Sequence, residues 1–491
     1  MARASVASLV LSLVLALARV AASQPTTVLR RDPSTGAVLA NPHFETSDGV
    51  IPVVAFYYAW YGNPANDGAY RHWDHAVLPH WDPKVNARVF GADAAEALGA
   101  NPSSRALGSH HPPDDIHAPF YPSRGCYSSL DPRVLDAHMR EALASGVNTF
   151  AVSWWGRPDV VGTADSQGVN TDAALHLVVA AAERTWRASA ADDDASASAE
   201  FPGGMRVAFH LEPYPGRTAA TVREDLRHIL DRHGDSPALL RGARGGGPVF
   251  FVYDSYHVSP RDWSTILSPT GSDTVRGTDL DGVFLALWLT RADGAQIETG
   301  GFDGGYTYFA DPATSTAADP KNWRALSDEA AARGLLFVPS VSPGYNDTRI
   351  RPWNAKTTRS RRGGRTYAAN WRAALAARPA AVTITSWNEW GEGTQIEPAE
   401  VGRGGYASYR LAEDAREGEQ GWRAAMRRER NGDGDDGGER GGGDGGDASA
   451  AREGEGGGDP NLYLDLTRAF ARGMRRPGFD EGGAGFVRDE L

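Results

Sequence analysis

A single closed (β/α)8 barrel of the α/β class, a TIM barrel enlarged by loop insertions, is the fold this sequence predicts, and three observations predict it. Eight apolar runs have strand length. Helical patterns separate several of them, as expected of parallel strands buried on both faces. The interiors of the runs are Val, Phe, Ala and Leu, whereas their C-terminal ends are mostly aromatic or ionisable.

The runs in chain order are VVAFYYAWYG (53–62), TFAVSWWG (149–156), RVAFHLEPY (206–214) and PVFFVYDSY (248–256). DGVFLALWL (281–289), GFDGGYTYF (301–309), LLFVPSVSPGY (335–345) and AVTITSWNEW (381–390) complete the set. A helix is expected in SLDPRVLDAHMREALASGV, with Pro132 near its start and Gly146 at its end. Further helices are expected in TDAALHLVVAAAERTW, TAATVREDLRHILDRHG, NWRALSDEAAARG and YAANWRAALAARP. An open doubly wound sheet is the rival architecture, but no Gly-rich phosphate loop follows the first run.

The barrel is expected over 51–427, after an N-terminal extension at 24–50. ASAADDDASASAEFPGG and the segment before Val249 read as surface excursions. Residues 428–459, rich in Gly, Asp and Arg, lack apolar area to bury and read as a disordered insertion. Over 460–491, PNLYLDLTRAFARGM is amphipathic and reads as the last barrel helix, followed by a tail ending RDEL. Residues 1–23 pair Arg3 with a short apolar stretch and a small-residue site, which is the pattern of a cleaved signal peptide, a short membrane anchor being the other reading. Together with RDEL, close to the lumenal retrieval tetrapeptides, this leads us to expect the secretory-pathway lumen. The endoplasmic reticulum is favoured over the Golgi, and a retrieval receptor is an expected partner.

A formal charge of −12 argues against a nucleic-acid groove, which needs a basic stripe. Cys126 is the only cysteine, so no intrachain disulfide forms. GSHHPPDDIH has ligand-type residues (His110, His111, Asp114, Asp115, His117) but also two prolines and no helical His spacing, so it reads as a loop rather than a metal site. No Gly-x-Ser-x-Gly elbow is present. Neither a metal nor a cofactor is expected.

In such a barrel the reacting groups lie at the C-terminal ends of the strands. Those ends carry Tyr58 and Trp60 on the first run, Trp154 and Trp155 on the second, and His210 and Glu212 on the third. Tyr253 and Asp254 follow on the fourth, Tyr306 and Tyr308 on the sixth, and Asn388, Glu389, Trp390 and Glu392 on the eighth. Aromatic faces among carboxylates and amides suit a carbohydrate, whose rings stack through C–H faces and whose hydroxyls form hydrogen bonds. Cleaving a glycosidic bond needs a pair of carboxyl groups, and Glu389 with Glu392 is the candidate pair. Glu397 reads instead as a structural carboxylate, and His210 as either an orienting or a core residue.

FYYAWYGNP, SWWGRP, HLEPY, FVYDSYH, GFDGGYTYF, PSVSPGYNDTRIRPWN and WNEWGEGTQIEPA together resemble glycoside hydrolase family 99, over about residues 50–400 and again at NLYLDLTR. The resemblance implies a barrel that cuts internal α-1,2-mannosidic bonds of glucosylated high-mannose N-glycans with retention. It also implies attack by the substrate's own 2-hydroxyl through an anhydro-sugar. On this chain Glu389 would be the base for that hydroxyl, and Glu392 the acid for the leaving oxygen and then the base for water. Glu212 would bind hydroxyls, while Trp154 or Trp155, Tyr58, and Tyr306 or Tyr308 would shape the mannose site. Many relatives carry His where this chain has Gly391. The alternatives are a carbohydrate-binding protein without turnover, a transglycosylase on the same site, and exo rather than endo action.

Overall fold

The computed structural model describes Phe44 and residues 51–91, 107–191, 203–242, 246–410 and 458–472. The N-terminal segment expected to be a signal, nearly all of the extension at 24–50, most of the 428–459 insertion and the RDEL tail lie outside the described residues.

All eight apolar runs form parallel strands: β1 (Val53–Tyr57), β2 (Thr149–Trp154), β3 (Arg206–Leu211), β4 (Val249–Val252), β5 (Val283–Leu287) and β6 (Gly304–Tyr306). The seventh divides at Pro339 into β7 (Leu336–Val338) and β8 (Ser340–Val341), and the eighth run is β9 (Val382–Ile384). The strand order is β7-β6-β5-β4-β3-β2-β1-β9-β8. Because β7 and β8 are successive halves of one stretch, pairing of β7 with β6 and of β8 with β9 closes the ring. Pro339 lacks an N–H but its carbonyl accepts from the Thr383 N–H at 2.9 Å, so the break costs little. Gly304 allows β6 to lie close to β7: a Cβ there would be 2.4 Å from the Leu336 carbonyl oxygen.

The strands are shorter than their apolar runs, and the remainder of each run becomes the loop that carries the chemistry. The long β1 loop holds α1 (Pro64–Asp67) and α2 (Pro83–Phe90). Then follow α3 (Pro132–Ala144), α4 (Asp172–Ala191), α5 (Ala219–His233), α6 (Pro260–Leu267), α7 (Asp293–Thr299), α8 (Trp323–Ala332), α9 (Arg365–Ala377) and α10 (Leu462–Ala471). Asp131, Thr218 and Ser259 cap α3, α5 and α6 by accepting from first-turn N–H groups, and Pro opens α3 and α6. Helices α1, α2, α6 and α7, of 4, 8, 8 and 7 residues, are too short for the periodic pattern that revealed the others. Helix α10 packs on α9 through Tyr367–Thr467 (2.9 Å) and the stacked Trp371–Phe470 pair, and also contacts α3. Just before it the Asp459 N–H donates to the Tyr409 carbonyl at 3.1 Å, so the chain leaves and re-enters the barrel at one point. None of the described helices is long and apolar enough to cross a membrane.

Period-two alternation sorts the strand side chains into two cores. Phe56, Phe251, His210 and Tyr306 meet inside the ring, with Phe56 4.6 Å from the His210 ring and 5.6 Å from Phe251. Tyr57, Phe150 and Trp387 point outward with His138 of α3. The inner aromatic layer is the floor on which the candidate site stands.

Candidate active site

Tyr58 continues the inward face of β1 above Phe56. Its hydroxyl is hydrogen-bonded to that of Tyr308, and Tyr308 packs against Tyr253 at 4.9 Å. Tyr306 and Tyr308 are two residues apart and both face inward, so the choice between them resolves by depth. Tyr306 is in the floor, where its hydroxyl is 3.0 Å from His210 Nε2, and Tyr308 reaches the mouth.

Ser153 on β2 donates to Glu212 Oε1 at 2.8 Å, and His210 Nδ1 lies 3.0 Å from the same oxygen without hydrogen-bond alignment. These two neighbours set the direction of the Glu212 carboxylate. His210, a strand-end candidate read as either an orienting or a core residue, and Tyr306, the alternative to Tyr308, lie in the layer beneath the mouth rather than lining it, because both are fully covered by aromatic neighbours. Of the alternatives Trp154 and Trp155, Trp154 is the one that faces outward. One position before the inward Trp155, it points to the helices, where its Nε1 donates to Asp172 at 2.9 Å and its ring meets His228. Trp155 is half-buried, and its Nε1 has no partner.

Beyond β9 the chain turns at Ser386, whose Oγ accepts from the Glu389 N–H at 2.8 Å. Asn388 and Trp390, expected to bind substrate, are corrected to supports of this turn. Asn388 accepts from the Tyr58 N–H at 2.8 Å and donates to the Tyr58 carbonyl at 2.9 Å, which fixes the end of β1 to the end of β9. Trp390 Nε1 donates to Glu397 at 3.0 Å, and its N–H to the Tyr61 hydroxyl at 3.1 Å. Glu397 accepts also from Tyr127 at 2.7 Å and lies 2.8 Å from His138 Nε2, so it is buried but satisfied.

Glu389 is buried with Oε2 unpartnered. Its burial and the nearby Glu392 push its carboxyl well above the usual range. Burial likewise raises Glu392 to about 7, against the pull of Arg351, whose Nη1 is 3.8 Å from Glu392 Oε1. The negative charge of Glu392 thus opposes ionisation of Glu389. Burial raises the Tyr58 phenol well above its usual value, and the charges of Glu212, Glu389 and Glu392 add to the rise.

Several contributors carried no assignment from sequence. Arg351 is held by Asp347 at 3.0 Å, and Asp347 in turn accepts from Asn354 at 3.0 Å. The GYNDTRIRPWN motif contained all three but gave no sign that they sit beside the acid. Arg217 donates to the Tyr253 and Asp254 carbonyls at 2.8 and 2.6 Å, shaping the rim where the half-buried Asp254 lies. Trp60 is half-buried and stacked on His72 at 4.2 Å, and His72 is 2.5 Å from Asp165. At Gly391 a Cβ would lie 2.6 Å from Ile350 Cδ1 and 2.7 Å from His117 Cδ2, so the His117 ring fills the room a side chain would take. Burial drives His117 well below the usual histidine range, and its Nδ1 is unpartnered. Among the described residues no group of three His, Cys, Asp or Glu could hold a metal ion. His110 lies between Asp115 at 3.0 Å and the Arg349 carbonyl at 2.9 Å.

Known proteins are similar to this chain over most of its length. The family described as "Glycosyl hydrolase family 99" matches residues 51–418. A glycoprotein endo-alpha-1,2-mannosidase from Xenopus laevis is 41% identical over 347 residues, covering 70% of this chain and 69% of the relative. A glycoprotein endo-alpha-1,2-mannosidase-like protein from Danio rerio is 40% identical over 347 residues, covering 70% of each chain. The solved GH99 endo-alpha-mannosidase of Bacteroides thetaiotaomicron superposes with a TM-score of 0.61 at 35% identity, covering 78% of this chain and 99% of that one.

Proposed function

From the premise that this chain belongs to glycosyl hydrolase family 99 and is a glycoside hydrolase, we propose that it cleaves internal α-1,2-mannosidic bonds of high-mannose N-glycans, glucosylated ones included. The relatives' names, glycoprotein endo-alpha-1,2-mannosidase, support that substrate class and an endo cut. They also fit the lumen of the secretory pathway as the place where the site meets its glycan.

One observation carries the chemistry: the buried Glu389 and the half-buried Glu392 are neighbouring carboxyls at the mouth, both raised above the usual range, Glu392 to about 7. In the proposed reaction the Glu389 carboxylate takes the proton of the mannose 2-hydroxyl. That oxygen attacks the anomeric carbon from the face opposite the leaving group. Glu392 gives its proton to the glycosidic oxygen, the C–O bond breaks, and a 1,2-anhydro sugar remains. Glu392, now a carboxylate, takes a proton from water as that water attacks the anomeric carbon. The opening ring oxygen recovers its proton from Glu389. Two inversions give retention, and both carboxyls return to their starting states. Glu212, aimed by Ser153 and flanked by His210, would hold substrate hydroxyls, while Tyr58, Tyr308, Trp155 and Trp60 would offer ring faces and hydroxyls to the sugar.

The test is mass analysis of sugars released from glucosylated high-mannose N-glycans by the wild type and by Glu392→Gln. An intact glucosylmannose disaccharide from the wild type, lost in the variant, is the expected result. Single monosaccharides would overturn the endo reading, and binding without any release would overturn hydrolysis.

A further inference from the structure

Outside the mouth, the most exposed large aromatic side chain of the described residues is Trp81, with 69% of its surface open. It is not a loose side chain. Its ring lies on His80 at 3.7 Å and meets Trp353 at 5.7 Å, while His80 meets Trp353 edge-on at 4.7 Å. The backbone beneath is fixed: the His80 N–H donates to Asn86 Oδ1 at 2.8 Å, Asn86 Nδ2 donates back to the His80 carbonyl at 2.7 Å, and the Asp82 N–H donates to His80 Nδ1 at 2.9 Å. Trp353 Nε1 donates to the Leu78 carbonyl at 3.0 Å, and the Leu78 N–H to the Ile350 carbonyl at 2.7 Å. The 78–81 segment is thereby bound to the loop that follows β8. A rigid, open indole backed by two rings presents an apolar face whose position is already fixed, at little further ordering cost on binding.

Its location gives it a direction. The loop carrying Trp353 also carries Arg351, two residues earlier, whose guanidinium is 3.8 Å from Glu392. Glu392 is the proposed proton donor to the leaving oxygen, so the sugars on the leaving-group side emerge over this loop. We propose that Trp81, backed by His80 and Trp353, is a distal subsite that stacks a sugar ring of the leaving-group arm of the glycan. This rests on the roles proposed for Glu389 and Glu392.

The experiment compares Trp81→Ala and Trp81→Phe with the wild type on two substrates that share the cleaved bond. One is a full high-mannose N-glycan, and the other a short mannoside with a small leaving group. The wild type should prefer the long substrate, and Trp81→Ala should lower the long-to-short ratio of kcat/KM about tenfold through KM. Trp81→Phe, which keeps a ring, should recover part of it. An unchanged ratio overturns the subsite, as does an equal loss on both substrates. Calorimetric binding of the long glycan to Glu392→Gln, with and without Trp81→Ala, reads the subsite without turnover: equal affinities overturn it even where hydrolysis is confirmed. Absence of release from both substrates by the wild type sinks the hydrolase reading instead, and that binding pair still decides the subsite.

Discussion

Glu389 and Glu397 belong to one short stretch after β9, both are buried, and their surroundings are opposite. Glu397 is met by the Tyr127 hydroxyl, His138 Nε2 and Trp390 Nε1. Glu389 keeps an oxygen without a partner beside a second carboxyl. A buried acid surrounded by donors contributes to stability, whereas one left short of donors and close to a like charge is destabilising and persists where reaction needs it. The fold thus places a structural carboxylate and the proposed reactive one on one segment and separates them by the donors each is given.

The most severe test of that contrast is to neutralise each acid in turn. Glu392→Gln and Glu389→Gln should each lower kcat by roughly 10²–10⁴, the usual worth of a general acid or base. Their melting temperatures should stay at or above that of the wild type, since a strained carboxyl is removed. Glu397→Ala should do the reverse, costing about 2–5 kcal/mol in urea titration because three buried donors lose their acceptor. Folded Glu397→Ala should retain a measurable kcat. Similar stability losses in Glu389→Gln and Glu397→Ala would erase the distinction.

A smaller effect is expected between the pair itself. Gly391→Ala places a methyl against Ile350 and the His117 ring, costing about 1–3 kcal/mol by overpacking. Adding His117→Ala should return part of that loss, and a double-mutant cycle measures the coupling.

The smallest effect concerns pH. Activity that needs Glu392 protonated is present below about 7 and is lost as pH rises through that value. Arg351 lowers Glu392, so Arg351→Met should move the alkaline limb of kcat/KM upward, by about one pH unit. Glu212 raises it, so Glu212→Gln should move the limb downward. Shifts of one sign in both variants would mean that the limb belongs to another group.

The strands were legible because a closed parallel barrel needs apolar runs with a change of chemistry at their ends, and the eight runs had both. Helices α1, α2, α6 and α7 were not, since one turn or two cannot display a period. Within the site, Glu389, Glu392 and Glu212 stood out as carboxylates where a core would not tolerate them unaided. Trp154 and Trp155 could not be ordered by composition, because only the pleat decides which faces the lumen. Asn388 looked like a ligand for sugar, yet its amide serves the backbone of Tyr58 on the neighbouring strand. A polar side chain at a strand end can serve its neighbour's main chain as readily as a substrate, and its residue type does not tell the two apart. Arg351 escaped for a related reason: its approach to Glu392 is made by a loop from a different strand.

The Tyr409–Asp459 hydrogen bond has a consequence for engineering. With its two ends already joined, whatever is threaded between them bears mainly the entropy of closing a loop, which grows by only about 0.6 kcal/mol for each doubling of length. The cost of joining the two ends therefore depends only weakly on the length of chain between them. A purification tag or a fluorescent reporter inserted between them should add little closing cost, which makes this the natural place to extend the enzyme.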